Sequence, residues 1–211
     1  METYCTLYIV RHGETEWNVK RLLQGQQDSP LTENGLRQAK DLGEKMKDIR
    51  FDAAFSSDAT RAIRTAELIT LERNMAITTT AMLRERTFGH LEGKPYTSLN
   101  DNLKHMVDKY NTLADNEKKS FKYADDIESD EEIVTRFNTF LREIAAAYAG
   151  KTVLAVTHGG MIRALLYHFG YGDYTRVQKL HIKNTCYLKI DSDGVDYFIR
   201  ETYGIEEPKA Q

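Results

Sequence analysis

The stretch Leu7-Tyr8-Ile9-Val10-Arg11-His12-Gly13-Glu14-Thr15 decides how we expect this chain to fold. Its first half is rich in aromatic and β-branched residues, a composition that favours a buried β-strand. Arg11 and His12 then follow directly, and Gly13 allows the backbone to turn tightly. Open α/β sheets bind ligands just beyond the carboxyl ends of their strands, so we expect Arg11 and His12 to lie in a binding site.

An arginine next to a histidine at such a place suits phosphoryl transfer. A guanidinium group can hold a phosphoryl group through two hydrogen bonds, and an imidazole can attack phosphorus as a nucleophile. We therefore predict that Arg11 binds a phosphoryl group and that His12 accepts it. Taken alone, the two residues would fit a surface turn better, so this prediction depends on the motifs that follow.

The overall composition fits an α/β domain and argues against several classes of partner. The 211 residues are 41% hydrophobic and 29% charged, and the formal net charge is −3. This balance gives no reason to expect a nucleic acid or an anionic membrane as partner. No apolar run approaches the ~20 residues of a membrane span and no secretory signal is recognisable, so we expect a cytoplasmic protein.

The chain contains two cysteines, Cys5 and Cys186, and both fall in stretches that we predict to be strands. So few thiols in a chain of this length are typical of small buried residues in a reducing compartment. The sequence leaves a disulfide between the two cysteines open.

Strand and helix patterns alternate along the chain, as in an α/β domain. The predicted strands cover residues 4–10, 51–55, 76–80, 152–156, 181–190 and 195–201. The predicted helices cover about residues 32–49, 59–71, 97–110, 129–149 and 161–169. Thr32, and Ser129 together with Glu132, are the expected N-terminal caps of two of these helices.

The stretch from Lys94 to Glu128 follows the strand and helix patterns poorly. Beyond one modest helix it is polar and charged, and long irregular insertions often serve as lids or binding loops. We therefore expect a single domain, residues 1–211, with an insert or lid at about residues 94–128, which we call the insert. The polar tail after Gly204 is expected to fray.

Charged residues converge on one edge of the expected sheet. Arg11 and His12 follow the first strand, Arg61 lies in the first turn of a helix, and Glu85 and His158 follow later strands. The arginines can clamp phosphoryl oxygens, and His158, which we expect to be cationic beside a phosphate, can neutralise developing charge. Glu85 can protonate the leaving group and then take a proton from water.

Simpler interpretations exist for some of these residues. Arg61 alone would fit a solvated helix surface, and Glu85 could pair with Arg84 or Arg86 without any part in catalysis. The two histidines could in principle bind a metal, but no carboxylate or cysteine lies at ligand-like spacing, and the neighbouring arginines would repel a cation. The sequence therefore predicts a site without metal or cofactor.

Several motifs of the chain, in this order, resemble those of the histidine phosphatase superfamily, the phosphoglycerate mutase-like group. They are LYIVRHGETEWN (residues 7–18), QG (24–25), LTENG (31–35), SSDATRAIRTAE (56–67), LRERTFGHLEG (83–93) and VTHGGMIRALL (156–166). The resemblance covers most of the chain except the insert and the tail. It implies a three-layer α/β/α sandwich around a six-stranded, mostly parallel sheet.

The resemblance also implies a role for individual residues. His12 matches the phosphorylated nucleophile of the family, and Glu85 matches its proton donor. Arg11, Arg61 and His158 match the remaining phosphate pocket. The residues that it implies in substrate binding are Asn18, Gln24, Gly25, Arg86 and Gly159.

Two departures from the mutase pattern favour a phosphatase. Mutases of this family usually carry Gly-Asn after the second histidine, where this chain has Gly159-Gly160, and the insert has Lys118-Lys119 where they carry a paired arginine. We therefore predict a phosphatase that hydrolyses small phosphate monoesters, such as sugar phosphates or bisphosphates, through a phosphohistidine. A phosphoglycerate mutase and a non-catalytic phosphate-binding regulatory domain are the alternatives. The expected partner is a small phosphorylated metabolite, and the expected state is a monomer or homodimer.

Overall fold

A six-stranded β-sheet forms the centre of the computed structural model, which describes residues 3–70 and 74–208. The strands are β1 (Cys5–Arg11), β2 (Ala53–Ser57), β3 (Ile77–Thr80), β4 (Thr152–Thr157), β5 (His181–Ser192) and β6 (Tyr197–Glu206). Their order in the sheet is β3-β2-β4-β1-β5-β6. The first four of these run parallel, and β5 and β6 are antiparallel to their neighbours. The mostly parallel sheet of the sequence analysis is confirmed.

Helices cover both faces of this sheet, so the molecule has three layers. They are α1 (Glu16–Val19), α2 (Glu33–Lys45), α3 (Thr60–Thr70), α4 (Ser98–Thr112), α5 (Asp115–Lys118), α6 (Asp130–Ala147), α7 (Gly159–His168) and α8 (Tyr174–Lys179). Side chains of α2 and α3 pack on one face, and those of α6, α7 and α8 pack on the other. The short helix α8 is absent from the prediction, because six residues carry too little periodicity to be recognised.

The predicted helix caps are confirmed. The Thr32 hydroxyl accepts a hydrogen bond from the Gly35 N–H at 2.9 Å. The Ser129 N–H donates to the Glu132 carboxylate at 2.8 Å, while the Ser129 hydroxyl accepts from the Glu132 N–H at 3.2 Å. These side chains replace hydrogen bonds that the first turn of a helix lacks. The predicted end of the second helix, at Leu71, lies outside the described residues.

The last two predicted strands are confirmed and form a β-hairpin, and both extend beyond their predicted ends. The carboxylate of Asp193 accepts hydrogen bonds from the N–H groups of Val195 and Asp196, both at 2.8 Å, which holds these residues in the turn and delays the start of β6 to Tyr197. Strand β6 continues to Glu206, so the chain just after Gly204 belongs to the sheet rather than to a frayed tail.

Both cysteines are buried free thiols, as predicted, and burial raises the pKa of each to about 12. In the described part of the chain no helix is long and apolar enough to cross a membrane. The insert contributes α4 and α5, and its side chains Leu99, Leu103 and Tyr123 pack on a small separate core. The insert therefore lies beside the main sheet, next to the segments that follow β1 and β3.

Candidate active site

The two histidines meet because their strands are neighbours in the sheet. Arg11 at the end of β1 is in register with Thr157 at the end of β4, so His12 and His158 leave the sheet side by side. Their ring centroids are 5.2 Å apart, and the ring planes cross at 64°. Both residues are buried, with 3% and 0% of their surface exposed. The structure thus brings together two rings that are 146 residues apart in sequence, as predicted.

The His12 ring is held in one tautomer. Its Nδ1 lies 2.7 Å from the carbonyl oxygen of Gly13, and a carbonyl can only accept a hydrogen bond. The proton of the neutral ring is therefore on Nδ1, and the lone pair on Nε2 is available as a nucleophile. The backbone around the ring is fixed as well, because the His12 N–H donates to the Thr157 carbonyl at 3.0 Å and the Gly13 N–H donates to the Thr65 hydroxyl at 3.0 Å.

The His158 ring is held in the opposite tautomer. Its Nδ1 lies 3.1 Å from Nη2 of Arg61, and a guanidinium group can only donate. Nδ1 therefore accepts, and the proton of the neutral His158 ring is on Nε2. This arrangement turns one ring into a nucleophile and the other into a hydrogen-bond donor.

Both rings are neutral in the free protein. Burial is the largest cause that lowers the pKa of His12 well below its ordinary value, and the charges of Arg61 and Arg11 lower it further. Burial likewise lowers the pKa of His158 well below its ordinary value, with further lowering by Arg61 and His12. The cationic His158 that we expect beside a phosphate stays a prediction; in the free protein, burial and the same arginines that would attract a phosphate disfavour a charged imidazole.

Arg61 is buried and bound on almost all sides. One of its terminal nitrogens donates to the Gln27 carbonyl at 2.7 Å and to Asp28 at 2.9 Å, and the other donates to the Gly25 carbonyl at 2.8 Å. Burial by itself would raise the pKa of Asp28, but the Arg61 charge and its hydrogen bond lower it below the ordinary value. Asp28 also accepts a hydrogen bond from the N–H of Thr60 at the start of α3. Asp28 therefore links the buried arginine to the first turn of α3 from a distant loop, a contact that no local sequence pattern predicts.

Arg11 is the second cation of the site. Its Nη1 donates to the Ile182 carbonyl of β5. Gly159 lies against its guanidinium group, because a Cβ atom at position 159 would be 3.1 Å from Arg11 Nε. The glycine therefore allows the start of α7 to approach this arginine closely.

Unpaired polar atoms collect at this one place. Among residues 3–70 and 74–208, the buried side-chain nitrogen and oxygen atoms without a hydrogen-bond partner are Arg11 Nε, Gln24 Oε1, Arg61 Nε and His158 Nε2. Buried polar groups are normally paired, so a concentration of unpaired ones needs an explanation. Three of the atoms are N–H donors, two of them on cations, and an oxyanion is the ligand that would accept from all three.

These atoms border a cavity of about 210 Å³ at the carboxyl edge of the sheet. Eight of the predicted site residues line it: Arg11, His12, Asn18, Gln24, Gly25, Arg61, Glu85 and Gly159. His158 borders an adjoining hollow of about 220 Å³, which shares Gly25, Arg61 and Glu85 with the first.

Within residues 3–70 and 74–208, the Glu85 carboxylate forms no salt bridge. It accepts hydrogen bonds from the N–H groups of Arg86 at 2.7 Å and Gly160 at 2.9 Å. Arg84 instead pairs with Asp58 at 2.6 Å, so the simpler interpretation of Glu85 as one half of an ion pair does not hold. A Cβ atom at position 160 would be 2.4 Å from Glu85 Oε1, so a larger residue there would displace the Glu85 carboxylate from its present position. The acid is therefore held at the cavity by backbone donors.

Comparisons with known proteins agree with this geometry. Residues 7–202 match the histidine phosphatase superfamily (branch 1). The chain belongs to this superfamily. It is 34% identical over 187 residues to a protein of Bacillus subtilis (strain 168) named "Uncharacterized phosphatase PhoE", a match that spans 87% of this chain and 86% of that one. It is 32% identical over 164 residues to the "Phosphoglycerate mutase-like protein 4" of Arabidopsis thaliana, across 77% of this chain and 70% of that one.

A solved structure of the same superfamily has a similar backbone. It is a phosphoglycerate mutase from Bacillus anthracis str. Sterne, with a TM-score of 0.83, 30% sequence identity, and coverage of 96% of this chain and 94% of that one. The names of these relatives divide between phosphatases and mutases. The comparisons therefore establish a phosphatase- or mutase-family enzyme, and the choice between the two reactions depends on the site itself.

One predicted substrate-binding residue of this superfamily member lies elsewhere. Arg86 does not line the cavity: its guanidinium group pairs with Asp130 and donates to the Glu128 carbonyl at 3.1 Å. Both partners are more than 40 residues away in sequence, so no local sequence pattern predicts these contacts. The prediction for Arg86 is thus corrected to a contact between the Glu85 segment and the start of α6.

The cavity has further lining residues that the sequence analysis did not single out as site residues. They are Leu23, Phe88, Tyr96, Gly160, Arg163 and Ile182. Arg163 is bound by the end of α8, because it donates to the carbonyls of Val177, Gln178 and Leu180 at 2.7–3.0 Å. In sequence it is one polar residue on an otherwise apolar helix, which gives no signal for its place at the cavity.

Within the described ranges, no group of three or more histidine, cysteine, aspartate or glutamate side chains could hold a metal ion.

Proposed function

We propose that this protein is a phosphatase that hydrolyses small phosphate monoesters, without a metal or cofactor, through a phosphohistidine at His12. One observation carries the proposal: three buried, unpaired N–H donors, on Arg11, Arg61 and His158, surround a histidine whose Nε2 lone pair is available. Donors of this kind match the oxygens of a phosphoryl group, and the lone pair matches the place of attack on its phosphorus.

In the first step, Nε2 of His12 attacks phosphorus and the bond from phosphorus to the ester oxygen breaks. The electron pair of that bond leaves with the oxygen, which takes a proton from the Glu85 carboxyl group. The N–H groups of Arg11, Arg61 and His158 donate to the three phosphoryl oxygens, where negative charge concentrates in the transition state. The Gly13 carbonyl holds the Nδ1 proton and stabilises the positive charge that the ring gains.

In the second step, water attacks the phosphorus of the phosphohistidine. The Glu85 carboxylate takes one proton from this water, and the phosphorus–nitrogen bond breaks to regenerate neutral His12. Glu85 thus ends the cycle protonated, as it began, and inorganic phosphate leaves. The two backbone N–H groups that hold Glu85 keep it at the cavity in both steps.

Four cationic side chains, two beside Glu85, one in the insert and one in α7, are engaged by other groups, which supports a phosphatase over a phosphoglycerate mutase. Arg84 pairs with Asp58, Arg86 with Asp130, and Lys118 of the insert with Asp115. Arg163 donates to three backbone carbonyls. A mutase must bind the carboxylate of phosphoglycerate and keep water from the phosphoenzyme. These cations already have partners, so they offer little positive charge for binding that carboxylate. The proposed partner is accordingly a small phosphorylated metabolite.

The test is a rapid-quench experiment with ³²P-labelled phosphate esters, including sugar phosphates and bisphosphates. We expect acid-labile, base-stable label on the protein, followed by release of inorganic phosphate. His12→Ala should abolish both, whereas His105→Ala, which removes an exposed histidine outside the cavity, should keep them. Turnover by His12→Ala would refute the phosphohistidine, and conversion of 3-phosphoglycerate with a bisphosphorylated primer, without phosphate release, would show a mutase. Binding of esters without any label or release would show a regulatory domain.

A further inference from the structure

Strand β5 departs from regular geometry beside the turn that contains His12 and Gly13. It pairs with β1 as far as Tyr187, opposite Val10, and its register with β6 shifts between Ile182 and Tyr187. Within this bulge Thr185 has a φ of 55°, a left-handed conformation that β-branched residues rarely adopt. A rare backbone conformation next to a reaction site indicates a functional constraint on that segment.

The bulge places the side chain of Asn184 against two parts of the site. Its Nδ2 donates to the His12 carbonyl at 3.1 Å and to Oδ1 of Asn18 at 3.2 Å. The orientation of the Asn184 amide follows from its partners, because the His12 carbonyl can only accept. Asn18 Oδ1 is likewise fixed as an acceptor, since it also receives the Thr15 N–H at 3.2 Å.

We infer that Asn184 is a positioning residue for phosphoryl transfer, a role that rests on the proposed function. The peptide group between His12 and Gly13 is held at both ends: Asn184 binds its oxygen, and the Thr65 hydroxyl binds its N–H. A peptide group held in this way cannot rotate. The next carbonyl, that of Gly13, therefore stays in line with Nδ1 of His12 and keeps the nucleophile in its reactive tautomer.

The second contact of Asn184 orients the amide of Asn18, which lines the cavity. With Oδ1 occupied by Asn184 and by the Thr15 N–H, the remaining group of that amide is Nδ2. It donates to no group within residues 3–70 and 74–208, and so it is available to a phosphoryl oxygen. One side chain of β5 thus fixes the nucleophile and one donor of the phosphate site together.

The experiment compares Asn184→Asp and Asn184→Ala with Lys183→Ala. The aspartate keeps the size of the side chain but removes its donor. Lys183 is the matched control, because it lies in the same bulge and pairs only with Glu206 on the exposed side. Rapid-quench measurement with p-nitrophenyl phosphate gives the rate of phosphoenzyme formation, and steady-state measurement gives KM. We expect the rate to fall ~10- to 100-fold in both Asn184 variants, with KM within about threefold of wild type, because misplacing a reacting group slows the step itself.

A second readout does not depend on turnover. Long-range ¹H–¹⁵N spectra of the imidazole rings report which nitrogen of His12 carries the proton. We expect the Nδ1–H form in wild type and in Lys183→Ala, and a mixture of tautomers in both Asn184 variants. If wild type forms no phosphoenzyme, the proposed function fails, and these spectra alone decide the role of Asn184.

Three results would overturn the inference. The first is an unchanged ring spectrum in the Asn184 variants, whatever the rates. The second is a rate of phosphoenzyme formation within twofold of wild type. The third is unfolding of both Asn184 variants while Lys183→Ala stays folded, because the side chain would then support the whole fold instead of the site.

Discussion

The inner and outer parts of the cavity are built in different ways. At the inner end, His12 and His158 follow two strands that are in register, and both rings are buried. At the outer end, Phe88 and Tyr96 come from loop segments, and Tyr96 is 47% exposed. The inner end is therefore fixed by the sheet and suits one invariant group, a phosphoryl group. The outer end is held by side-chain contacts among loops and suits a leaving group that differs from one substrate to another.

The sharpest way to separate the two ends is Glu85→Gln, because in the proposed mechanism Glu85 protonates the leaving group. Esters with a poor leaving group should lose ~10²–10⁴-fold in kcat, since their alkoxide needs a proton to depart. An activated aryl ester such as p-nitrophenyl phosphate should lose less than about tenfold. Steady-state kinetics on the two ester classes provides the measurement, and equal losses would show that Glu85 only shapes the cavity.

Replacements of Arg61, at the inner end, and of Arg86, outside the cavity, should differ almost as strongly in their effect on kcat/KM. Arg61→Lys keeps a charge but removes the fork that binds Gln27, Asp28 and Gly25, and we expect kcat/KM to fall ~10²–10³-fold. Arg86→Lys is the matched change outside the cavity, because this side chain pairs with Asp130 instead, and its loss should stay below about tenfold. Similar losses in the two variants would contradict the division between the ends.

Glu92 joins the two ends, and its replacement should therefore affect stability. Its carboxylate accepts hydrogen bonds from the backbone N–H groups of Gln26 and Gln27, in the loop after α1, and of Phe88, in the segment after β3, at 3.0–3.1 Å. Glu92→Gln replaces one carboxylate oxygen with an NH₂ group, which then faces one of these backbone N–H groups without an acceptor between them. We expect the free energy of unfolding to fall by ~1–3 kcal/mol. Urea titration measures it. The control Glu67→Gln removes an exposed ion pair with Arg64 and should cost less than ~1 kcal/mol.

The last prediction concerns the dependence of stability on pH. Because burial lowers the pKa of His12 and His158, the unfolded chain binds protons more readily than the folded one once pH falls below ~6.5. Stability should then decrease with falling pH by up to ~1.4 kcal/mol per unit for each ring. In urea titrations between pH 7 and pH 5, His158→Gln should show a shallower decrease than wild type. If the free energy of unfolding fell equally with pH in both proteins, protonation of His158 would not contribute to the decrease.

The same division explains what the sequence could predict. A strand that stops at Arg11-His12, and another that stops at His158-Gly159, are local patterns, because the apolar run and the glycine stand next to the functional residue. From the sequence we expect both strands to end at one edge of the sheet; that they are neighbours is shown by the fold alone, because no local pattern gives it. The inner end was therefore visible from the sequence, down to the residues that line it.

The remaining contacts depend on partners that are distant in sequence. Arg86 follows Glu85 directly, and only the fold shows that its guanidinium group pairs with Asp130 instead of facing the cavity. Asn184 lies in a bulge, where the alternation of a strand fails to tell which way a side chain points. Burial and neighbouring positive charge lower the pKa of His158 in the free protein, and neither effect can be read from the motif.

The position of β1 between β4 and β5 has a consequence for biosynthesis. The ribosome makes His12 long before it makes either strand that flanks β1, since both come from residues 152–192. During most of translation this imidazole is thus an ordinary solvated side chain, because the contacts that bury it are among the most non-local in the chain. A polypeptide released before those strands are complete lacks the contacts that bury and orient His12. We therefore expect the active site to form only after β5 has been synthesised.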